Sequence, residues 1–258
     1  MDALERHNKI VELAVRKGRV LIAEIADLFH VSEMTARRDL SQLEREGLLR
    51  RFHGGAAANI GRSYEPSFQA RSAKSRAVKA AIGRKAAGLV SDGDSIALDV
   101  GTTTLEIVPA LKDKKNLTIV TSCFQIAESV VRQLALEVSA RLIVTGGVVR
   151  PRELSMVGPI PAQVYDSLHV DKAFIGAAGI SPENGLTEFN MEDAQVKQVL
   201  IRNARQRIVV ADGSKFGQTM FTSFAPLRAA HTIVTDRSAP ADVLDSIRLQ
   251  GVEVLVAD

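Results

Sequence analysis

A single cysteine, Cys123, stands among 258 residues, so no internal disulfide can form. Ile119, Val120, Phe124 and Ile126 lie close by in sequence, which suits a small buried side chain in a reducing compartment. No stretch approaches the ~18 consecutive apolar residues of a membrane span, and the N-terminus lacks the apolar core of a secretory signal. The expectation is a soluble, cytoplasmic protein with no membrane partner. The histidines at 7, 30, 53, 169 and 231 lack metal-ligand spacing, so neither a metal nor another cofactor is expected. There is no internal repeat and no low-complexity run. Charge of one sign is scarce too: the formal net charge is only +3, with a pI near 9.1. Bulk charge is therefore weak support for a nucleic-acid partner, and the distribution of cations has to decide.

What is present is 46% apolar residues, enough for a sizeable core, and one organising stretch from Ile22 to Gly55. Ile22, Ile25, Ala26 and Phe29 recur at helical spacing and predict a short amphipathic helix over 23–29. His30, Val31 and Ser32 separate it from a second helix that runs to about Glu46, with Ser32 as N-cap and Gly47 as left-handed stop. On that helix Ala36, Leu40 and Leu43 share an inner side. Met34, Thr35, Arg37, Arg38 and Ser41 fall on the outer side or its flanks. So short a connection forces a steep crossing and leaves the second helix projecting, as in a helix-turn-helix. A first helix over 2–17, with Ala3, His7, Ile10 and Ala14 on one side, supports the pair.

After Gly47, the run from Leu48 to Gly55 is too short for a helix, carries cations in its middle and ends in two glycines. It reads as a wing that lays Arg50, Arg51 and His53 near a phosphate backbone. Paired arginines on one amphipathic helix are more often a plain solvated face. The assembled order of helix, tight turn, capped helix and cationic hairpin favours double-stranded DNA.

The run VSEMTARRDLSQLEREGLLRRFHGGA resembles the N-terminal winged helix-turn-helix of the DeoR family of bacterial transcription regulators. The match falls on Ser32, Thr35, Arg37, Arg38, Asp39, Leu40, Leu43, Glu44, Gly47, Arg51, His53, Gly54 and Gly55. Ala36 stands where the family usually has Ile or Val.

Residues 56–72 show no sustained period and read as a linker, which gives a DNA-binding domain over 1–57, a linker over 58–72 and a larger domain over 73–258. Between Arg62 and Lys85, seven cations, Arg71 among them, face one acid, Glu65. They either help neutralise DNA or form a solvated linker and helix. Beyond a helix over 73–90, apolar strands are expected at 95–100, 117–121, 142–145, 172–176, 207–211, 232–235 and 252–256. They alternate with helices at 103–111, 125–134, 191–204 and 240–250. The fold class is α/β, a mainly parallel sheet covered on both faces.

Ligands of such sheets bind beyond the carboxyl ends of the strands. Four strand ends carry polar or small residues. Asp99-Val100-Gly101-Thr102-Thr103-Thr104 joins a carboxylate, a glycine and three hydroxyls at the start of a helix. That is either an anion cradle or a plain threonine cap. The other three are Thr121-Ser122, Asp171-Lys172 leading into Phe174-Ile175-Gly176, and Asp212-Gly213-Ser214-Lys215. Together they favour an anionic small molecule.

These segments, with LDVGTTTLEI, VDKAFIGAAGIS and ADGSKFG among them, resemble the C-terminal sensor domain of the same family, which is similar in fold to ribose-5-phosphate isomerase and CoA-transferase-type enzymes. The resemblance implies a regulator, usually a repressor of a sugar catabolic operon, whose effector is a phosphorylated sugar or related metabolite. It implies phosphate contacts from Gly101, Thr102, Thr103, Thr104 and Lys215. Sugar hydroxyls would be read near Asp99, Asp171 and Lys172, with Lys197 of the A-x-V-K motif approaching the site. Ser122 replaces the family's usual Asn, and Gly213 its usual Ser; both are expected at pocket positions.

The expected protein is a non-enzymatic regulator in which Thr35, Arg37, Arg38 and Ser41 enter the major groove. Reading a symmetric operator requires at least a dimer, so a homodimer or homotetramer is expected. An isomerase-like enzyme using the same pocket is the rival reading. It lacks the glycine-rich segment that accompanies a catalytic glutamate in such isomerases; the comparable run here is Thr145-Gly146-Gly147-Val148-Val149-Arg150. A third reading is an architectural nucleic-acid binder with a degenerate pocket.

Overall fold

A computed structural model describes residues 3–59, 61–134 and 140–258. The chain divides into two compact units, Met1–Pro66 and Ser67–Asp258.

In the first unit, α1 (Ala3–Lys17), β1 (Arg19–Leu21), α2 (Ile22–Phe29), α3 (Glu33–Arg45), β2 (Leu49–Phe52) and β3 (Gly55–Ala58) follow in order. Gly18 ends α1 at φ +77°, and His30 turns the chain between α2 and α3 at φ 53°. The expected inner faces do meet: Ile10 and Ala14 of α1, Ile25 of α2, and Ala36, Leu40 and Leu43 of α3 close on one core with Leu49 and Ala56. Ala36 is fully buried there, so a shorter side chain than the family's usual one sits at the helix contact. β2 and β3 pair antiparallel as a hairpin, and β1 joins the other edge of β3. Gly55 lets β3 come that close, because a Cβ on it would lie 2.2 Å from the Val20 carbonyl oxygen.

The second unit begins with α4 (Phe68–Ala73), α5 (Arg76–Ala87), β4 (Ser95–Leu98), α6 (Thr102–Leu105), β5 (Leu117–Thr121), α7 (Phe124–Gln133), β6 (Ala140–Val144), β7 (Val148–Arg150), β8 (Ser155–Val157) and α8 (Pro159–Asp166). It continues with β9 (Lys172–Gly176), β10 (Gly179–Ser181), β11 (Gly185–Glu188), α9 (Met191–Asn203), β12 (Gln206–Val210), β13 (Thr222–Ala225), β14 (Thr232–Asp236), α10 (Ala241–Leu249) and β15 (Glu253–Ala257).

Seven of these strands form one sheet in the order β15-β14-β12-β9-β4-β5-β6, every neighbouring pair parallel. They are the seven expected from the apolar runs. Burial on both faces explains why those runs are continuous: on β12, Ile208 and Val210 join one core while Val209 joins the other.

Four features depart from the sequence reading. The segment read as linker contains α4, a six-residue helix capped by Ser67, whose Phe68 is buried in the second unit's core; a single short turn has too few residues to show a period. Ser75, at φ 55°, separates it from α5, so the helix expected over 73–90 is present but begins only at Arg76 and ends at Ala87. The helix expected over 103–111 is a single turn, α6, followed by a 3-10 turn at Val108–Leu111 with a proline in its first positions; Pro109 has no N–H to continue the ladder. Two small antiparallel sheets, β10-β11-β13 and β7-β8, were not foreseen.

Candidate functional site

The helix expected to read DNA is α3. Ser32 caps it as expected, its Oγ accepting from the Thr35 amide at 3.1 Å, and the two hydroxyl oxygens lie 2.9 Å apart. Arg37 and Arg38 are exposed; Arg37 reaches Glu33 Oε2 at 3.3 Å, a solvent-facing pair one turn apart. Asp39 faces the opposite way and is buried, accepting from Arg6 Nε at 2.6 Å and Nη2 at 3.0 Å, with His7 Nε2 at 2.8 Å. Burial raises its pKa, but the hydrogen bonds and charges of Arg6 and His7 together hold the carboxyl below its ordinary range.

The wing is attached to this helix. Arg51 donates from Nη1 to Ser41 Oγ at 2.8 Å and from its backbone amide to Glu44 Oε1 at 3.0 Å. Arg50 and His53 are exposed, the latter at the hairpin turn beside Gly54 at φ +88°. Ser41 and Arg51, assigned from sequence to helix and wing separately, are thus one polar unit.

In the second unit the winding of the sheet reverses between β4 and β9: later strands go to β5 and β6 on one side, and to β12, β14 and β15 on the other. Crevices open at such a point, beyond the carboxyl ends. A small cavity, open to solvent at its mouth, lies there. The loop from Gly101 to Thr104 walls it together with Gly176, Arg71, Glu188, Lys197 and Lys215. The α6 turn is capped by the Gly101 backbone, with no side-chain cap from a threonine. Gly101 is needed for this: a Cβ would stand 2.9 Å from Thr104 Oγ1.

Lys215 ends a 3-10 turn, Gly213–Lys215, that Asp212 caps. Burial, reinforced by the positive charges of Arg71 and Lys74, lowers its pKa against the opposing pull of Asp212 and Glu188. Lys197 is fully buried and bonded to Asp99, with Glu188 at 3.4 Å and the Gly176 carbonyl at 3.0 Å. Desolvation opposes its charge, but the two carboxylates outweigh it and raise the pKa. Asp99 stands behind the wall: its Oδ2 also accepts from the Gly176 amide at 2.9 Å, while Oδ1 has no partner among the described residues.

Not every expected residue is here. Asp171 and Lys172 fall at the amino end of β9, the opposite end of the sheet from the cavity. Asp171 accepts from the Ser95 amide and hydroxyl at 2.9 and 2.6 Å, and Lys172 pairs with Asp94 at 2.5 Å. Asp171 precedes the strand and Lys172 is its first residue, so the length of β9 separates them from the cavity. Ser122 is buried after β5, its carbonyl accepting from the Met156 amide at 2.7 Å, and does not line the cavity. Two lining residues escaped the sequence reading. Arg71 was lost among the cations of the supposed linker, and Glu188 sits at the end of a strand that gave no periodic signal.

A helix-turn-helix with a cationic wing defines the first unit as a DNA-binding module. Two family models match the chain: the DeoR-like helix-turn-helix domain over residues 6–60 and the DeoR C-terminal sensor domain over residues 74–237. The chain is 37% identical to the HTH-type transcriptional regulator YgbI of Escherichia coli K12, covering 100% of this chain and 99% of that one. It is 31% identical to the glycerol-3-phosphate regulon repressor of the same strain, over 95% of each. Among solved structures it is similar to ribose 5-phosphate isomerase A from Methanocaldococcus jannaschii, at 19% identity, 55% and 54% coverage and a TM-score of 0.38. The chain belongs to the DeoR family of DNA-binding transcription regulators. Membership favours regulation over the isomerase reading, and among the described residues no helix is long and apolar enough to cross a membrane.

Proposed function

We propose that this regulator represses a carbohydrate catabolic operon and that a phosphorylated sugar in the second unit's cavity changes its affinity for operator DNA. One observation carries the reading: the Gly101–Thr104 loop and Lys215, more than a hundred residues apart in sequence, wall the same cavity at the reversal point of the sheet. Loop amides, threonine hydroxyls and a lysine suit a phosphoryl group. Glu188 and Lys197 suit the hydroxyls of the attached carbon chain, with Asp99 holding Lys197 from behind the wall. The E. coli relative named for glycerol 3-phosphate agrees with an effector of this chemistry.

On the DNA side, Thr35, Arg37, Arg38 and Ser41 enter the major groove while Ser32, Arg50, Arg51 and His53 hold phosphates. A dimer or tetramer supplies two reading helices to a symmetric site. The effector acts by preferring one arrangement of the protein, by roughly 1–3 kcal/mol.

A thermal-shift screen of pentose, hexose and triose phosphates beside their dephosphorylated forms tests this. At least one phosphorylated compound should raise Tm without turnover and shift operator affinity in a mobility assay by roughly 5- to 150-fold. Stabilisation by none of them, or stabilisation that leaves DNA affinity unchanged, defeats the proposal.

A further inference from the structure

The cations around the cavity are committed to different degrees. Lys197 is locked between two carboxylates and a carbonyl. Arg71 is held differently. It lies on α4, half-buried, and its guanidinium pairs with Glu153, a carboxylate only 2% exposed in the turn between β7 and β8. The Phe68 ring sits 5.8 Å from the guanidinium carbon, and Lys79 donates to the Arg71 carbonyl. α4 is fastened to the same turn by its backbone, the Phe68 amide donating to the Arg152 carbonyl at 3.2 Å.

Arg71 and Lys215 therefore face one opening as like charges. On the same wall Thr104 Oγ1, fully buried, has no hydrogen-bond partner among the described residues. Two cations that repel each other, beside an unused hydroxyl, gain most from a bound anion.

We propose that Arg71 is an anion-binding residue of this cavity and that Glu153 competes with the phosphoryl group for its guanidinium. A phosphoryl group offers a planar guanidinium two acceptor oxygens at once, which a lysine in its place would not engage in the same way. The exchange loosens one of the ties between α4 and the β7–β8 turn. Because α4 begins two residues after the DNA-binding unit ends, that tie acts on the first helix to follow it. The inference rests on the effector reading of the cavity given above.

Calorimetric titration of the full-length protein with inorganic phosphate, in buffer free of sulfate, tests it. The phosphorylated sugars that stabilise the wild-type protein serve as second probes. Arg71→Gln should weaken binding at least tenfold, Arg71→Lys by less, and Glu153→Gln should tighten it several-fold. The double variant should behave as Arg71→Gln. Opposite signs for the two isosteric changes set competition apart from a merely structural ion pair, whose loss on either side weakens binding alike. Unfolding midpoints confirm that each variant is folded. If Arg71→Gln binds as wild type does, or Glu153→Gln also weakens binding, this inference fails and the effector reading survives. If the wild-type protein binds neither phosphate nor any phosphorylated sugar, both fail.

Discussion

Asp39, on the buried side of α3, accepts from two nitrogens of Arg6 at 2.6 and 3.0 Å and so fixes that helix to the first helix of the chain. The family motif R-R-D thus splits by direction: its arginines face solvent while its aspartate serves the fold. Asp39→Ala strands Arg6 and His7 against a buried site, and a loss of about 3–5 kcal/mol is expected for the first unit. The pH dependence has a definite sign. A carboxyl whose folded pKa lies below 3.8 contributes stability that is complete above its unfolded value and is lost as pH falls through the folded one. Urea midpoints of wild type and Asp39→Asn should therefore differ at and above about pH 5 and converge as the pH falls below about 4.

Arg38 is exposed on α3 and carries no assigned role in the fold. With an operator selected from random duplexes by the wild-type protein, Arg38→Ala should cost roughly 1–3 kcal/mol if the guanidinium reads a base edge, with specificity relaxed at that position. If it binds phosphate instead, the slope of log K against log salt falls by about 1 and specificity is kept. Unchanged affinity would remove α3 as the reading helix.

Ser41 and Arg51 are joined across helix and wing at 2.8 Å. Each alanine substitution should weaken operator binding, and the two together by less than their sum. A double-mutant cycle should give a coupling of roughly 0.5–3 kcal/mol. Strict additivity would show that the contact is absent from the DNA complex.

Gly213 occupies the position where the family pattern has serine, and the structure leaves no room for one. A Cβ there would lie 2.3 Å from Ser238 Oγ and 2.4 Å from the Ala239 amide nitrogen, while the Gly213 amide donates to Asp236 Oδ1 at 2.7 Å. Gly213→Ser is expected to destabilise the second unit by about 1–3 kcal/mol and to weaken phosphate binding through the turn that carries Lys215. Gly213→Ser paired with Ser238→Gly should recover part of the stability. A single variant as stable as wild type would show that the turn yields at no cost.

Much of this molecule could be read from its chain because the signals were local. Helical spacing of Ile22, Ile25 and Phe29, a serine cap and a glycine stop specify the helix-turn-helix before any contact is made. Seven apolar runs specify seven strands because a strand buried on both faces must be apolar throughout. What could not be read locally was decided by distance in sequence. α4 is too short to show a period, and its place is set by Phe68 entering a core built from residues up to Ala257. Asp171 and Lys172 looked like Asp99 and Lys215 in their strand-end polarity. Only strand direction and register separate the two ends of the sheet. By itself the sequence determined which segments become helix, wing and strand, since propensity, caps and apolar period act within a few residues. Which charges share a cavity, with Arg71, Glu188, Lys197 and Lys215 brought together, was decided by tertiary structure alone, because that depends on where the sheet reverses its winding.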